Sequence, residues 1–237
     1  MKISKRGVFE EDKRWFSDKE VLRLKKAQEE VLYLINRGYK ISQVVTFVGN
    51  RYQFSSRQRD ALKRATATDE KRVIRKSKEL NIDDIENEIV HIDGFNLIIL
   101  LEVALSKGTL IYCNDGNIRD LAGLRGSYNL IDKTPIAIEF IGEFLENANI
   151  KEAKIYLDAP VSNSGNLRNI INKYSRHWGF RTQVNLVNNV DTILEKLDRV
   201  VSNDSIIIDK CKNYFNLGKR IIEKYIRETK IIDLDNK

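Results

Sequence analysis

Glu88-Ile89-Val90-His91-Ile92-Asp93-Gly94-Phe95-Asn96-Leu97-Ile98-Ile99-Leu100-Leu101-Glu102 is the stretch that decides the fold. Its first part, Ile89 to Ile92, is a short β-branched run of the kind that fills a buried parallel strand. The run stops at a carboxylate and a glycine, and Leu97 to Leu105 then reads as an apolar helix covering the sheet. An acid at the carboxyl end of a first strand stands where open α/β sheets bind their ligands. Gly94 is expected to let the chain turn sharply there, and Asn96 to hold the carboxylate or a ligand. The plainer alternative is that Asp93 only caps the helix.

The same alternation continues outward from this stretch. Leu110 to Cys113 reads as a strand, and Asn114-Asp115-Gly116-Asn117 as a hairpin turn. Pro135 opens a helix at its first turn. Lys154 to Leu157 is a strand ending at Asp158, followed by a polar loop and a helix from Leu167 to Tyr174. Gln183 to Val187 is a strand leading to a helix at Val190-Asp191, and Arg199 to Val201 is a strand ending near Asp204. Strands alternating with helices imply a mainly parallel sheet flanked by helices.

Towards the amino terminus the periodicity becomes helical. Ser17 with Glu20 reads as a capping box opening a helix that stops at Arg37-Gly38. Two more helices are expected over 41–49 and up to Arg64, and a charged one from Lys71 to Lys78. Charge separates the two regions: residues 1–80 carry 21 Lys and Arg against 11 Asp and Glu, or +10. The remainder carries 20 against 23, or −3. A basic module beside a mildly acidic one suggests that one holds a polyanion and the other cations. The expected organisation is therefore α plus α/β, with a small basic helical domain over 1–84 and an α/β domain over 85–237.

Within the basic part, Arg51, Tyr52, Arg57, Gln58, Arg59 and Arg64 interleave aromatic, amide and guanidinium groups. These are the expected nucleic-acid contacts, with rings stacking on bases and guanidinium forks on phosphates. A small helical domain of this charge can equally read duplex DNA in helix-turn-helix fashion.

Composition narrows the chemistry. Charged residues are 32% and hydrophobic residues 42%, which fits a globular chain. Cys113 and Cys211 are too few for a disulfide framework, and with only His91 and His177 they make a poor zinc set. Ser162 and Ser164 lack a histidine base in the order that a catalytic triad needs. Residues 1–20 are charged throughout and no apolar run is long enough for a bilayer, so the expected location is cytoplasmic.

What remains is acid. Asp93, Asp158 and Asp204 each follow a short apolar strand, and parallel strands bring those ends to one edge, which Asp191 can also approach. Crowded carboxylates repel and are costly when partly buried, whereas Mg²⁺ or Mn²⁺ removes that penalty. The chemistry expected is phosphodiester hydrolysis by water activated at the cation. The alternative is a set of unrelated helix caps.

Ile92-Asp93-Gly94-Phe95-Asn96, Tyr156-Leu157-Asp158, Asn189-Val190-Asp191-Thr192-Ile193 and Val201-Ser202-Asn203-Asp204-Ser205 resemble the ordered acidic motifs of PIN-like nucleases, the NYN type above all. The resemblance covers about residues 88–215. It implies a PIN/NYN-like α/β domain in which Asp93, Asp158, Asp191 and Asp204 are the catalytic metal ligands of a Mg²⁺- or Mn²⁺-dependent ribonuclease. Asn96, Ser202 and Asn203 would stand beside them as supporting and substrate-binding groups. Long loops at 114–128 and 159–166 depart from the commoner pattern and add Arg119, Asp120, Arg125, Asn163, Ser164 and Arg168 as candidate contacts to the scissile phosphate. The whole chain is also similar to an uncharacterised prokaryotic two-domain family, through Gly49-Asn50-Arg51-Tyr52, Arg57-Gln58-Arg59, Arg119 to Gly123 and Asp158 to Gly165. The partner expected is RNA. The rival readings are a non-catalytic RNA-binding adaptor and a DNA-binding regulator with a nucleotide-sensing C-terminal domain.

Overall fold

A computed structural model describes residues 4–123 and 126–235 of the 237-residue chain. Arg125, expected to meet substrate, lies outside the described residues. Five helices come first: α1 (Asp12–Trp15), α2 (Asp18–Ile35), α3 (Ile41–Arg51), α4 (Ser56–Ala65) and α5 (Asp69–Lys78). There follow β1 (Ile89–Asp93), α6 (Gly94–Leu105), β2 (Thr109–Tyr112), β3 (Ile118–Asp120), α7 (Thr134–Asn147), β4 (Glu152–Asp158) and α8 (Ser164–Tyr174). The chain continues through β5 (Arg181–Val187), α9 (Val190–Leu194), β6 (Val200–Val201), α10 (Ser205–Lys210), α11 (Leu217–Tyr225) and β7 (Lys230–Asp233).

The apolar run of β1 makes it an inner strand. The larger sheet has the order β5-β4-β1-β6 and is parallel throughout. On one face, Val90, Ile92, Ile155 and Leu157 pack with α6, α7 and α8 in the largest core cluster. On the other, Tyr156, Val187 and Val200 meet apolar residues of α9 and α10. The chain steps from β1 outward to β4 and β5, then returns to the far side of β1 as β6. Connections therefore diverge between β1 and β6, and a divergence of this kind opens a crevice at the carboxyl ends of the strands.

The single sheet expected from the alternation is two. Because β4 and β6 flank β1, the strand that follows it in sequence has no place beside it. β2 instead forms a hairpin with antiparallel β3 through the turn at Gly116, and pairs on its other side with parallel β7. This smaller sheet closes the helical half: Ile111, Cys113, Leu121, Ile232 and Leu234 share one core with Leu24, Val31, Val48 and Leu62. The helical region thus has no apolar interior separate from residues beyond 85. The 80–88 junction is also tied down, since Leu80 N donates to Tyr214 O at 2.8 Å and Tyr214 N to Lys78 O at 3.0 Å.

Two local expectations change. Ser17 precedes α2 but makes no side-chain cap; its partner Glu20 binds Arg23 and accepts from Gln58 instead. A capping box forms at α4, where Ser55 Oγ accepts from Gln58 N and Ser55 N donates to Gln58 Oε1. Gly94 is the first residue of α6, and its role is close packing: an added Cβ would stand 2.6 Å from Leu157 Cδ2 and 3.0 Å from the Tyr156 carbonyl. Glycine lets α6 start directly against β4.

Candidate active site

Parallel register sets which side chains meet at the sheet edge. Asp93 is level with Tyr156, and Val201 with Ile92, so Ser202 stands beside Asp93. The Ser202 hydroxyl donates to Asp93 Oδ2 at 2.9 Å, and Asn96 N reaches Oδ1 at 3.4 Å. Asp158 ends β4, and its Oδ1 accepts from Val190 N at 3.1 Å, which draws the start of α9 and Asp191 to the same rim. Asp204 caps α10, its Oδ1 accepting from Ile206 N at 2.7 Å and its own N–H donating to Ser202 Oγ at 3.1 Å.

The capping role is therefore real for Asp93 and Asp204, yet it does not account for the arrangement. All four carboxylates line one pocket of about 290 Å³ that also includes Arg64, Asn96, Asp120 and Tyr128. Asp93 is only 8% exposed, and its pKa is pushed up to about 7. Burial is the main cause; bonds from Ser202 and Asn96 oppose it, and the charges of Asp204 and Asp191 add to it. Asp191 is raised too, through loss of surrounding water and then through Asp204 and Asp158. None of the four acids enters an ion pair among the described residues. The rim crowds four acids together, and Arg64 on the pocket wall is not paired with any of them among the described residues.

No three His, Cys, Asp or Glu side chains among the described residues stand close enough to enclose a metal ion by themselves. The donor chemistry nevertheless fits a hard cation: carboxylates, a serine hydroxyl and an amide surround the pocket. Mg²⁺ keeps several waters and is held through one or two carboxylates together with substrate phosphates, so an all-protein cage is not required.

The other expected contacts divide. Asp120 lines the pocket, its Oδ1 accepting from Ala122 N at 2.7 Å. Asn203 N donates to Asn96 Oδ1 at 2.8 Å, which joins the loop before α10 to the first turn of α6. Arg119 is buried and serves the framework: it forks onto Asp115 and donates from Nε to the Asn203 carbonyl at 2.8 Å. Burial alone would raise Asp115, but Arg119 and Arg75 overcome it and hold its pKa at about 2. Asn163 and Ser164 are spent on the loop itself, donating to the carbonyls of Tyr128 and Ala159. Arg168 is half-buried on α8 and is not among the residues lining this pocket.

In the helical half, Arg57 and Gln58 point inward and are unavailable to a nucleic acid. Arg57 forks onto Asp12 at 2.5 and 2.8 Å and donates to the Leu121 and Gly7 carbonyls. Gln58 completes its cap and donates to the Trp15 carbonyl. Arg59 ties α4 to Phe54 and Asn50. Tyr52 and Arg51 share Glu30. Arg64 alone of this set reaches the acidic pocket. The pocket's apolar wall, Phe95 and Ile99, carried no signal beyond ordinary core residues. Tyr128 was equally silent; its hydroxyl donates to the buried Glu102 at 2.7 Å.

Residues 82–220 match the family described as Domain of unknown function (DUF5616). Residues 23–78 match Protein of unknown function (DUF434). The chain belongs to this two-domain family. Among its relatives is Uncharacterized protein MJ0935 of Methanocaldococcus jannaschii, 36% identical over 185 residues that cover 78% of this chain and 88% of that protein. No solved structure matches. The DUF5616 part holds all four acids of the rim, and the DUF434 part supplies Arg64.

Proposed function

We propose that this protein is a Mg²⁺- or Mn²⁺-dependent ribonuclease whose centre is the rim of Asp93, Asp158, Asp191 and Asp204. One observation carries the reading: four carboxylates from separated parts of the chain line one pocket at the crevice between β1 and β6, and none of them is ion-paired among the described residues. Their order along the chain resembles that of PIN-like nucleases of the NYN type, and RNA as substrate rests on that resemblance. A bound divalent cation supplies Lewis acidity at a phosphoryl oxygen and makes water a better nucleophile. The protein's part is to orient. The Ser202 hydroxyl and the Asn96 backbone N–H fix Asp93, Val190 N–H fixes Asp158, and the α10 cap fixes Asp204. Arg64 on the pocket wall offers positive charge to an anionic substrate. Against the duplex-reading alternative stands α4, because a recognition helix needs its first turn free and Arg57 and Gln58 are buried there.

The test is cleavage of labelled single-stranded RNA with Mn²⁺ and with EDTA, beside DNA of the same sequence. Cleavage that requires Mn²⁺, and that Asp93→Asn or Asp204→Asn abolishes with circular dichroism unchanged, is the expected result. Full activity in either variant rejects the assignment.

A further inference from the structure

A second cavity, of about 490 Å³, adjoins the acidic pocket and shares Arg64, Asn96, Asp120, Gly123 and Asp204 with it. The two are one cleft. Its far wall is α4, which contributes Asp60, Lys63 and Arg64, and its near wall is the loop opening α10. The charged groups in it differ in how far they are committed. Arg119 is bound to Asp115, Asp204 caps a helix, and Asp120 accepts from a backbone amide. Lys63 and Arg64 are exposed, and neither side chain enters an ion pair or side-chain hydrogen bond among the described residues. Asp60 precedes them by one helical turn, and an exposed pair at that spacing is weak and screened, so a phosphate can displace it.

We propose that Lys63 and Arg64 form a phosphate subsite, so that the cleft takes a single-stranded polynucleotide across the seam between the helical and α/β halves. The inference rests on the metal-dependent nuclease reading and extends it to the path of the substrate. A bare anion is repelled from the acidic end, which needs a bound cation before a phosphate can approach. The other end holds fixed positive charge. A ligand meeting both has anionic groups repeated along its length, as a sugar-phosphate backbone does. The guanidinium offers a planar fork to one phosphate and the ammonium a point charge to the next. A mononucleotide has no second backbone phosphate to span the cleft.

The experiment measures binding of a fluorescent oligoribonucleotide of about 12 nucleotides, with cleavage-resistant phosphorothioate linkages, to the full-length chain in Mn²⁺, across a salt series, for wild type and Lys63→Gln/Arg64→Gln. Glutamine preserves helix propensity at exposed positions, and circular dichroism confirms the fold. The expected result is a Kd raised tenfold or more, with the slope of log K against log salt shallower by about 1.4, or about 0.7 per lost phosphate contact on a single strand. Adenosine monophosphate at equal nucleotide concentration should compete poorly. An unchanged Kd and slope, no binding by wild type, or equal competition by the mononucleotide overturns the subsite. Binding that depends on these two residues without Mn²⁺-dependent cleavage would leave the subsite standing and remove the nuclease reading.

Discussion

Asp93 is pulled in opposite directions. Its ionised form suits a cation site, but burial and neighbouring charges penalise that form and lift its pKa to about 7. An unfolded aspartate titrates near about 3.9, so between that value and about 7 the native state holds the extra proton. Stability without metal therefore falls as pH rises through this window, and the full penalty is present above about 7. Asp93→Asn removes it. In EDTA at pH 8 the variant is expected to melt several degrees above wild type, at roughly 2–4 °C per kcal/mol for a chain of this size. Mn²⁺ should raise the melting temperature of wild type and leave the variant nearly unmoved. A variant that melts lower in EDTA at pH 8 would contradict the buried-charge account. Arg57 makes the opposite case. Its place in an Arg-Gln-Arg run suggests a nucleic-acid contact, yet its partner Asp12 is 45 residues away and no local pattern announces the pair. Arg57→Ala leaves the buried Asp12 carboxylate without its counter-charge, held among the described residues only by the Thr109 hydroxyl, which costs about 3–5 kcal/mol. The loss should appear in urea titration as a lower midpoint, with RNA affinity per folded molecule unchanged.

At the scale of elements, the strands and helices that bear the site were legible because each is an apolar run closed by a polar residue. β1, β4, β5 and β6 lie within two residues of their expected spans. Caps were harder to read, since Ser17 with Glu20 and Ser55 with Gln58 carry the same kind of signature and only the second closes a box. The difference is tertiary: Glu20 is drawn to Arg23 and Gln58, while Gln58 has room to satisfy both its cap and Trp15. Ser55→Ala should thus cost about 1 kcal/mol, and Ser17→Ala only a few tenths. Equal losses in denaturant melts would show that the box at α4 contributes nothing special. The four rim acids were legible for a related reason, because parallel strands bring their ends to one edge. Asn163 and Ser164 were not, because whether a polar loop binds itself or a ligand depends on the loop geometry.

At the scale of the molecule, the second sheet was invisible to local reading. Neither β2 nor β7 hints at the other, and their pairing joins residues more than a hundred positions apart. That sheet supplies the apolar floor on which the amino-terminal helices lie. Residues 1–84 expressed alone are therefore expected to show a broad, non-cooperative thermal transition and to bind a hydrophobic dye. A sharp transition for that fragment would prove the helical half self-sufficient.

The position of β7 has a temporal consequence. As a ribosome extends the chain, α2 to α4 emerge early, but Ile232 and Leu234, which close their core, emerge some 170 residues later than Ala65. At bacterial or eukaryotic elongation rates of about 5–20 residues per second, that interval is on the order of ten seconds or more. During it the nascent helices carry an uncovered apolar face, waiting for a strand made long after them.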